Sequence, residues 1–259
     1  MISSADSITW GACELESPAL RRLRCGRLLV EMCRSQGQIY LASKTLSKKE
    51  LDDFDEEAPI EWNRWAVYTG NETVRIQPGL PDLPILFEPE SGFQVPAGEE
   101  VRILVRLPLS VVVKVPDEVD PLLAEFPTEK LSHAWFGESD HGELCYSVST
   151  SDSSTDDSTV IAPIQIRNGG AESLDVSRLC LRVSGLSIFR SERKLWANET
   201  LIHFQGGQQP SKVLVRKGPP VEAVAADLIA PPRDCNSGSV VDRTVRSIRR
   251  WASDFLDLN

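Results

Sequence analysis

Residues 72–115 read ETVRIQPGLPDLPILFEPESGFQVPAGEEVRILVRLPLSVVVKV, and the alternation inside this stretch decides the fold class. Val74 and Ile76 alternate with Thr73, Arg75 and Gln77, while Val101, Ile103, Val105 and Leu107 alternate with Glu100, Arg102 and Arg106. A period of two is the signature of strands with one face buried. Nine of the chain's 17 prolines lie between Pro78 and Pro127. Proline lacks the ladder donor, so these residues belong at strand ends, edges or turns, and long helices are excluded here. Pro96-Ala97-Gly98 supplies one such turn, because glycine tolerates a positive φ.

Working toward the N-terminus, Trp62 and Trp65 open a strand through Ala66, Val67 and Tyr68. Trp62 falls on the face opposite Trp65, so one side of an aromatic strand could bind while the other packs in the core. The acidic run from Glu50 to Glu57 lacks the glycine and the alternate spacing of a calcium loop, and reads as a solvated segment. Further back, Leu28, Val30 and Met32 alternate with Glu31 and Cys33, and Gln36-Gly37 predicts a hairpin into Gln38-Ile39-Tyr40-Leu41.

Toward the C-terminus, the acidic, proline-bracketed segment Pro116 to Pro121 predicts a domain boundary. Beyond it, the Ser/Asp/Thr-rich run Ser149 to Ser158 is expected to be a hairpin tip. Asn168-Gly169-Gly170 is expected to turn the chain into a strand from Leu174 to Val183. In that strand the apolar parity changes from Leu174 and Val176 to Leu179, Leu181 and Val183, which predicts a β-bulge at Ser177-Arg178. After Pro219-Pro220 and Pro231-Pro232, residues Val241, Val245, Ile248, Ala252 and Phe255 fall at helical spacing. The expectation is mainly β: two tandem antiparallel β-sandwich (Ig-like) domains, over residues 1–118 and 119–217. A third segment, 218–259, is expected to hold a proline-rich linker and an amphipathic α-helix from about Val240 to Leu258.

With 259 residues, 41% hydrophobic and 25% charged, the chain can bury a sizeable core. A net charge of −10 argues against general affinity for nucleic acid. Neither a basic, apolar leader nor an apolar run long enough to span a bilayer is visible, so a cytoplasmic location is expected. Cys13, Cys25, Cys33, Cys145, Cys180 and Cys235 include no Cys-x-x-Cys pair and read as reduced thiols. The two Asn-Glu-Thr sequons, at Asn71 and Asn198, then read as chance matches.

Two motif groups carry a resemblance. Arg75-Ile76-Gln77-Pro78-Gly79-Leu80-Pro81-Asp82-Leu83-Pro84, continuing to Pro108-Leu109, forms the first. Ala134-Trp135-Phe136-Gly137 with Gly142-Glu143-Leu144-Cys145-Tyr146 forms the second. Over roughly Trp10 to Gly206 the chain resembles the uncharacterised prokaryotic family known as domain of unknown function 432. Where that family's pattern has a basic-aromatic strand after the cysteine, this chain has Tyr146-Ser147-Val148. The resemblance implies a mostly β protein and brings no activity, so no catalytic residue carries over.

The densest polar constellation lies at His133, Asp140, His141, Glu143 and Cys145. His133, His141 and Cys145 share odd parity and could ligate a metal on one strand face. The simpler reading is a buried thiol beside surface histidines. A Cys145 nucleophile with His141 as base lacks any accompanying oxyanion-stabilising motif. Gly169-Gly170 and Gly206-Gly207 lack the Lys-Ser/Thr or GxGxxG of a phosphate loop. No cofactor is implied. The remaining functional element is the C-terminal stretch, whose Arg243, Arg246, Arg249, Arg250, Trp251 and Phe255 would suit a partner protein or, less well, an anionic membrane surface. The chain therefore reads as a non-enzymatic interaction module, with a metal-dependent site near His133, His141 and Cys145 as the alternative.

Overall fold

The structure, a computed structural model, describes residues 6–15, 19–47, 62–66, 73–116, 122–137, 142–148, 158–206 and 211–234. The chain runs through β1 (Asp6–Ser7), β2 (Gly11–Glu14), β3 (Arg21–Cys25), β4 (Leu28–Ser35), β5 (Gln38–Thr45) and β6 (Trp62–Ala66). There follow β7 (Thr73–Gly79), β8 (Ile85–Phe87), β9 (Phe93–Val95), β10 (Glu100–Pro108), β11 (Ser110–Lys114), β12 (Leu122–Pro127), β13 (Ser132–Phe136) and β14 (Glu143–Ser147). The rest are β15 (Thr159–Asn168), β16 (Leu174–Val176), β17 (Leu179–Leu181), β18 (Ile188–Ser191), β19 (Lys194–Ala197), β20 (Thr200–Phe204), β21 (Lys212–Val215) and β22 (Asp227–Ala230). The protein is mainly β, as its alternation requires. Residues 235–259, which include the stretch expected to form a helix, lie outside the described residues.

The strands form a five-stranded sheet in the order β1-β3-β4-β5-β6 and two four-stranded sheets, β12-β11-β7-β2 and β13-β14-β8-β17. A seven-stranded sheet has the order β21-β20-β15-β19-β18-β22, with β10 paired to β15. β9 and β16 form a separate pair. Several pairings correct the expectation of purely antiparallel sheets: β1 with β3, β14 with β8, and β15 with both β19 and β20 are parallel. The physical reason is that long excursions bring distant strands side by side, which hairpins between neighbours do not do.

The hairpin of β4 and β5 forms as its sequence predicts. Ser35 pairs with Gln38 across a two-residue turn in which Gln36 (φ 51°) and Gly37 (φ 74°) are both left-handed, the geometry that matches strand twist. The turn at Pro96-Ala97-Gly98 also closes: Glu99 N donates to Pro96 O at 3.1 Å, and Gly98 takes φ 81°. The change of parity near Ser177 has a different cause from the bulge expected. β16 pairs with β9 and β17 pairs with β8, so at Ser177-Arg178 the chain leaves one sheet for another. β14 and β15 lie in different sheets and do not pair with each other, and residues 149–157 of the run expected to be a hairpin tip lie outside the described residues.

The longest ladder joins β10 and β15 through nine residue pairs, from Glu100–Arg167 to Pro108–Thr159. It crosses position 118, where the sequence places a boundary, and one cluster of buried side chains runs from Cys13 to Ala230 on both sides of it. Pro163 stands inside β15, where a missing donor is costly. Asn168 N donates to Glu99 O at 2.9 Å, so by alternation the even-numbered amides of β15 face β10 and position 163 faces the opposite edge. There β19 contacts β15 at Ile161 and β20 takes over at Ile164, leaving a break opposite the proline. Asn198 fills this break: its Oδ1 accepts from Ser187 N at 2.6 Å, and its Nδ2 donates to Arg216 O and Gly218 O at 3.0 and 2.9 Å. A glycan has no room on this buried amide.

Asn168 closes the end of the ladder. Its side chain is buried, with Nδ2 donating to Val95 O (2.9 Å) and Glu172 O (2.8 Å) and Oδ1 accepting from Gly170 N (2.9 Å). Asn168→Asp keeps the shape but turns the donor into an acceptor facing two carbonyls. Both Asn168→Asp and Asn168→Ala are expected to cost about 2 to 4 kcal/mol of stability, measured by urea unfolding.

Candidate functional site

β13 and β14 pair as His133–Tyr146, Ala134–Cys145, Trp135–Leu144 and Phe136–Glu143. Opposed residues share a face. The paired numbers add to an odd sum, so an odd position on β13 shares its face with an even one on β14. Cys145 therefore faces away from His133, and the structure does not bring these two expected ligands together. His141 lies outside the described residues, as do Arg243, Arg246, Arg249, Arg250, Trp251 and Phe255. Among the described residues no group of three His, Cys, Asp or Glu side chains is placed to hold a metal ion.

Cys145 instead meets Cys180, delivered by β17 from across β8, in a small cluster with Leu86 and Phe136. The exposures of the two cysteines are 0% and 1%. Cys145 Sγ donates to Ala134 O at 3.4 Å, and Cys180 Sγ donates to Glu143 Oε1 at 3.3 Å. Glu143 Oε2 is held by Arg182 Nη2 at 2.8 Å. Burial pushes both thiols up, and the Glu143 charge adds to it, so neither supplies a thiolate nucleophile near neutral pH.

The other face of the hairpin looks outward. Trp135 and Leu144, directly paired, are 51% and 45% exposed. Next to them the His133 and Tyr146 rings lie 5.1 Å apart, tilted by 43°. A Cβ at Gly142 would collide with the Trp135 indole, so glycine there lets the ring pack against the backbone before β14. β13 is the edge strand of its sheet. Elsewhere, Trp62 is 41% exposed on edge strand β6 while Trp65 packs against the core, the opposed placement that alternation predicts.

A strap borders this hairpin. β22 pairs with β18, and Pro231-Pro232 then carries the chain to Arg233. Arg233 Nε and Nη2 donate to Leu80 O at 3.1 and 2.6 Å, and its Nη1 and Nη2 grip both oxygens of Glu125 at 3.1 and 2.6 Å. Gln77 Nε2 donates to Ile229 O at 3.4 Å. The strap residues Ala230 to Arg233 line a cleft of about 220 Å³ together with Leu80, Val112, Lys114, Glu125, Leu186 and Ile188. A Cβ at Gly79 would approach Val112 Cγ2 to 2.6 Å, a contact that glycine avoids.

The hairpin and strap meet electrostatically. Tyr146 Oη donates to Asp82 Oδ1 at 3.3 Å. Desolvation first, then the charges of Asp82 and Glu125, raise the Tyr146 hydroxyl, while Arg233 lowers it. Gln77 to Asp82 and Trp135 to Tyr146, far apart in sequence, thus converge at one corner. Sequence reasoning missed Asp82, Glu125, Cys180 and Arg233 as neighbours. Arg233 had the clearest signal, a cation immediately after two prolines.

The family described as "Protein of unknown function (DUF432)" matches residues 9–249 of this chain. No curated protein and no solved structure matches it. No helix among the described residues is long and apolar enough to cross a membrane.

The buried thiols predict an alkaline weakness. A thiol raised on folding leaves stability intact below its unfolded pKa of about 8.5, and stability falls as pH rises toward the folded value, because the unfolded chain then releases the proton more readily. Between about pH 8.5 and 10, urea stability of the wild type should fall more steeply than that of Cys180→Ala.

Proposed function

This chain belongs to the family described as Protein of unknown function (DUF432), and from that premise we propose that it is a non-enzymatic protein-interaction module. The observation that carries this reading is the outward-facing pair Trp135 and Leu144 beside His133 and Tyr146 on an edge hairpin. Large aromatic side chains dominate interface energetics when they become buried, and an edge strand offers unpaired backbone groups to an extended segment. The partner is therefore a protein that adds an extended strand to β13 and lays apolar side chains over Trp135 and Leu144.

The chemistry nearby favours binding over catalysis. Cys145 and Cys180 are buried as thiols, Glu143 is engaged by Arg182, and Glu125 is engaged by Arg233. The second proposed contact is the amphipathic stretch Val240 to Leu258, with Arg243, Arg246, Arg249, Arg250, Trp251 and Phe255. In sequence it follows directly on the strap that ends beside this hairpin.

Trp135→Ala combined with Leu144→Ala removes exposed apolar area without touching the core. Proteins that co-purify with the intact chain from its native host should be lost with this double variant, while the melting temperature shifts by no more than about 2 °C. Undiminished co-purification would sink the hairpin as the contact surface.

A further inference from the structure

We propose that the outer edge of β10 pairs antiparallel with the same edge of a second copy of this chain, forming a two-fold dimer in which the seven-stranded sheet continues from one protomer into its partner. This goes beyond the hairpin reading, because β10 and β13 belong to different sheets and either contact can fail without the other.

The edge is suited to pairing along its length. Among the described residues β10 pairs with β15 alone, so no described strand lies along its second side. Its register with β15 runs without a shift over nine pairs, and proline enters only at its last position, Pro108. Such an edge carries neither the bulge nor the internal proline that keeps many natural edges from pairing. Asn168 N donates to Glu99 O, so the odd-numbered residues of β10 exchange bonds with β15, and the N–H and C=O of Glu100, Arg102, Leu104 and Arg106 point outward. Leu104, in the middle of this run, is 54% exposed.

The sequence of the edge is complementary to itself. A two-fold axis perpendicular to the sheet at Ile103 places Glu100 opposite the partner's Arg106 and Arg102 opposite the partner's Leu104, and the reverse by symmetry. These are the outward-pointing residues, so each exchanges both backbone bonds with the residue facing it. The two Leu104 side chains become diagonal neighbours, flanked by the aliphatic stems of Arg102. On the other face Ile103, which its own core covers only in part, meets the partner's Ile103. Moving the axis to Leu104 would set Arg102 against the partner's Arg106, and Glu100 against the partner's Pro108, which has no donor. Moving it to Arg102 would set that arginine against the partner's Arg102. The backbone groups carry the contact, and the charges choose its register. Arg102 stays held by Glu199 and Glu222 of its own chain, and Arg106, whose guanidinium has five donors, keeps its bond to Thr159 Oγ1 at 3.5 Å.

The test follows the mass of the full-length protein by sedimentation equilibrium. The wild type should associate to a dimer with a Kd below about 100 μM. Glu100→Arg and Arg106→Glu each set like charges opposite one another on both sides of the axis, and each alone should weaken the dimer about tenfold or more. Mixed in equal amounts, the two variants should regain wild-type affinity, because each then faces the charge it lacks, a rescue that no role within one chain produces. In the wild type, amide exchange at Arg102, Leu104 and Arg106 should slow as protein concentration rises, which reports on the edge without any variant. A single-chain mass throughout that concentration range, exchange at these three amides that does not depend on concentration, or mixed variants that stay as weak as each alone would each overturn the proposal.

Discussion

The ladder between β10 and β15 is the constraint on which the remaining structure depends. Nine consecutive pairs bind the proline-punctuated half of the chain to the half that follows it, and the buried residues of both strands enter one core. Asn168 holds one end. Its backbone bonds to Glu99 and Gly98, its side chain bonds to Val95 and Glu172, and Gly169 N reaches Phe204 O at 2.7 Å. The Asn168 carboxamide and the backbone of Asn168 and Gly169 thus tie β9, the start of β10, β15 and β20 at one point. A buried amide with each donor used is stabilising where a half-satisfied one would be costly.

The opposite edge of β15 shows how a locally unfavourable residue is accommodated. Pro163 removes a donor from a central strand, and the neighbouring strand breaks at the same level, with Asn198 and Glu199 filling the gap. Glu199 is nearly buried, and it is neutralised by Arg102 at 2.7 Å and Arg216 at 3.1 Å. Arg102 also holds Glu222, whose carboxyl is lowered chiefly by that bond, so the 3-10 turn at Val221–Ala223 is drawn over the sheet against Ile161 and Trp196. The side chains that gather at the break fasten the segments on either side of it.

Strand alternation was legible in the sequence because it is a local property. Val74, Ile76, Val105 and Leu107 are buried as their period requires, and Gln36-Gly37 makes the expected turn. What was not legible depends on partners distant in sequence. The parity change after Val176 looks the same whether a strand bulges or changes sheets, and only the pairing with β9 and β8 decides. His133 and Cys145 shared parity on paper, yet the antiparallel register of β13 and β14 puts them on opposite faces. Arg233 read as part of a proline-rich linker, because nothing near it in sequence reveals that Leu80 and Glu125 wait beneath. The corner at Asp82, Tyr146 and the strap is assembled from segments about 60 to 150 positions apart, as the contacts of Tyr146 with Asp82 and Arg233 with Leu80 require.

The same ladder governs the order in which the molecule can assemble. β10 leaves the ribosome roughly 50 residues before its partner β15, and closing so long a loop carries an entropic cost that native contacts repay only afterwards. Until then β10 lacks its cross-strand partner, with Val105 and Leu107 awaiting the buried side chains of β15. The N-terminal half therefore stays incomplete until β15 is made, and a chain terminated before that point carries an unfinished core that favours aggregation and proteolysis.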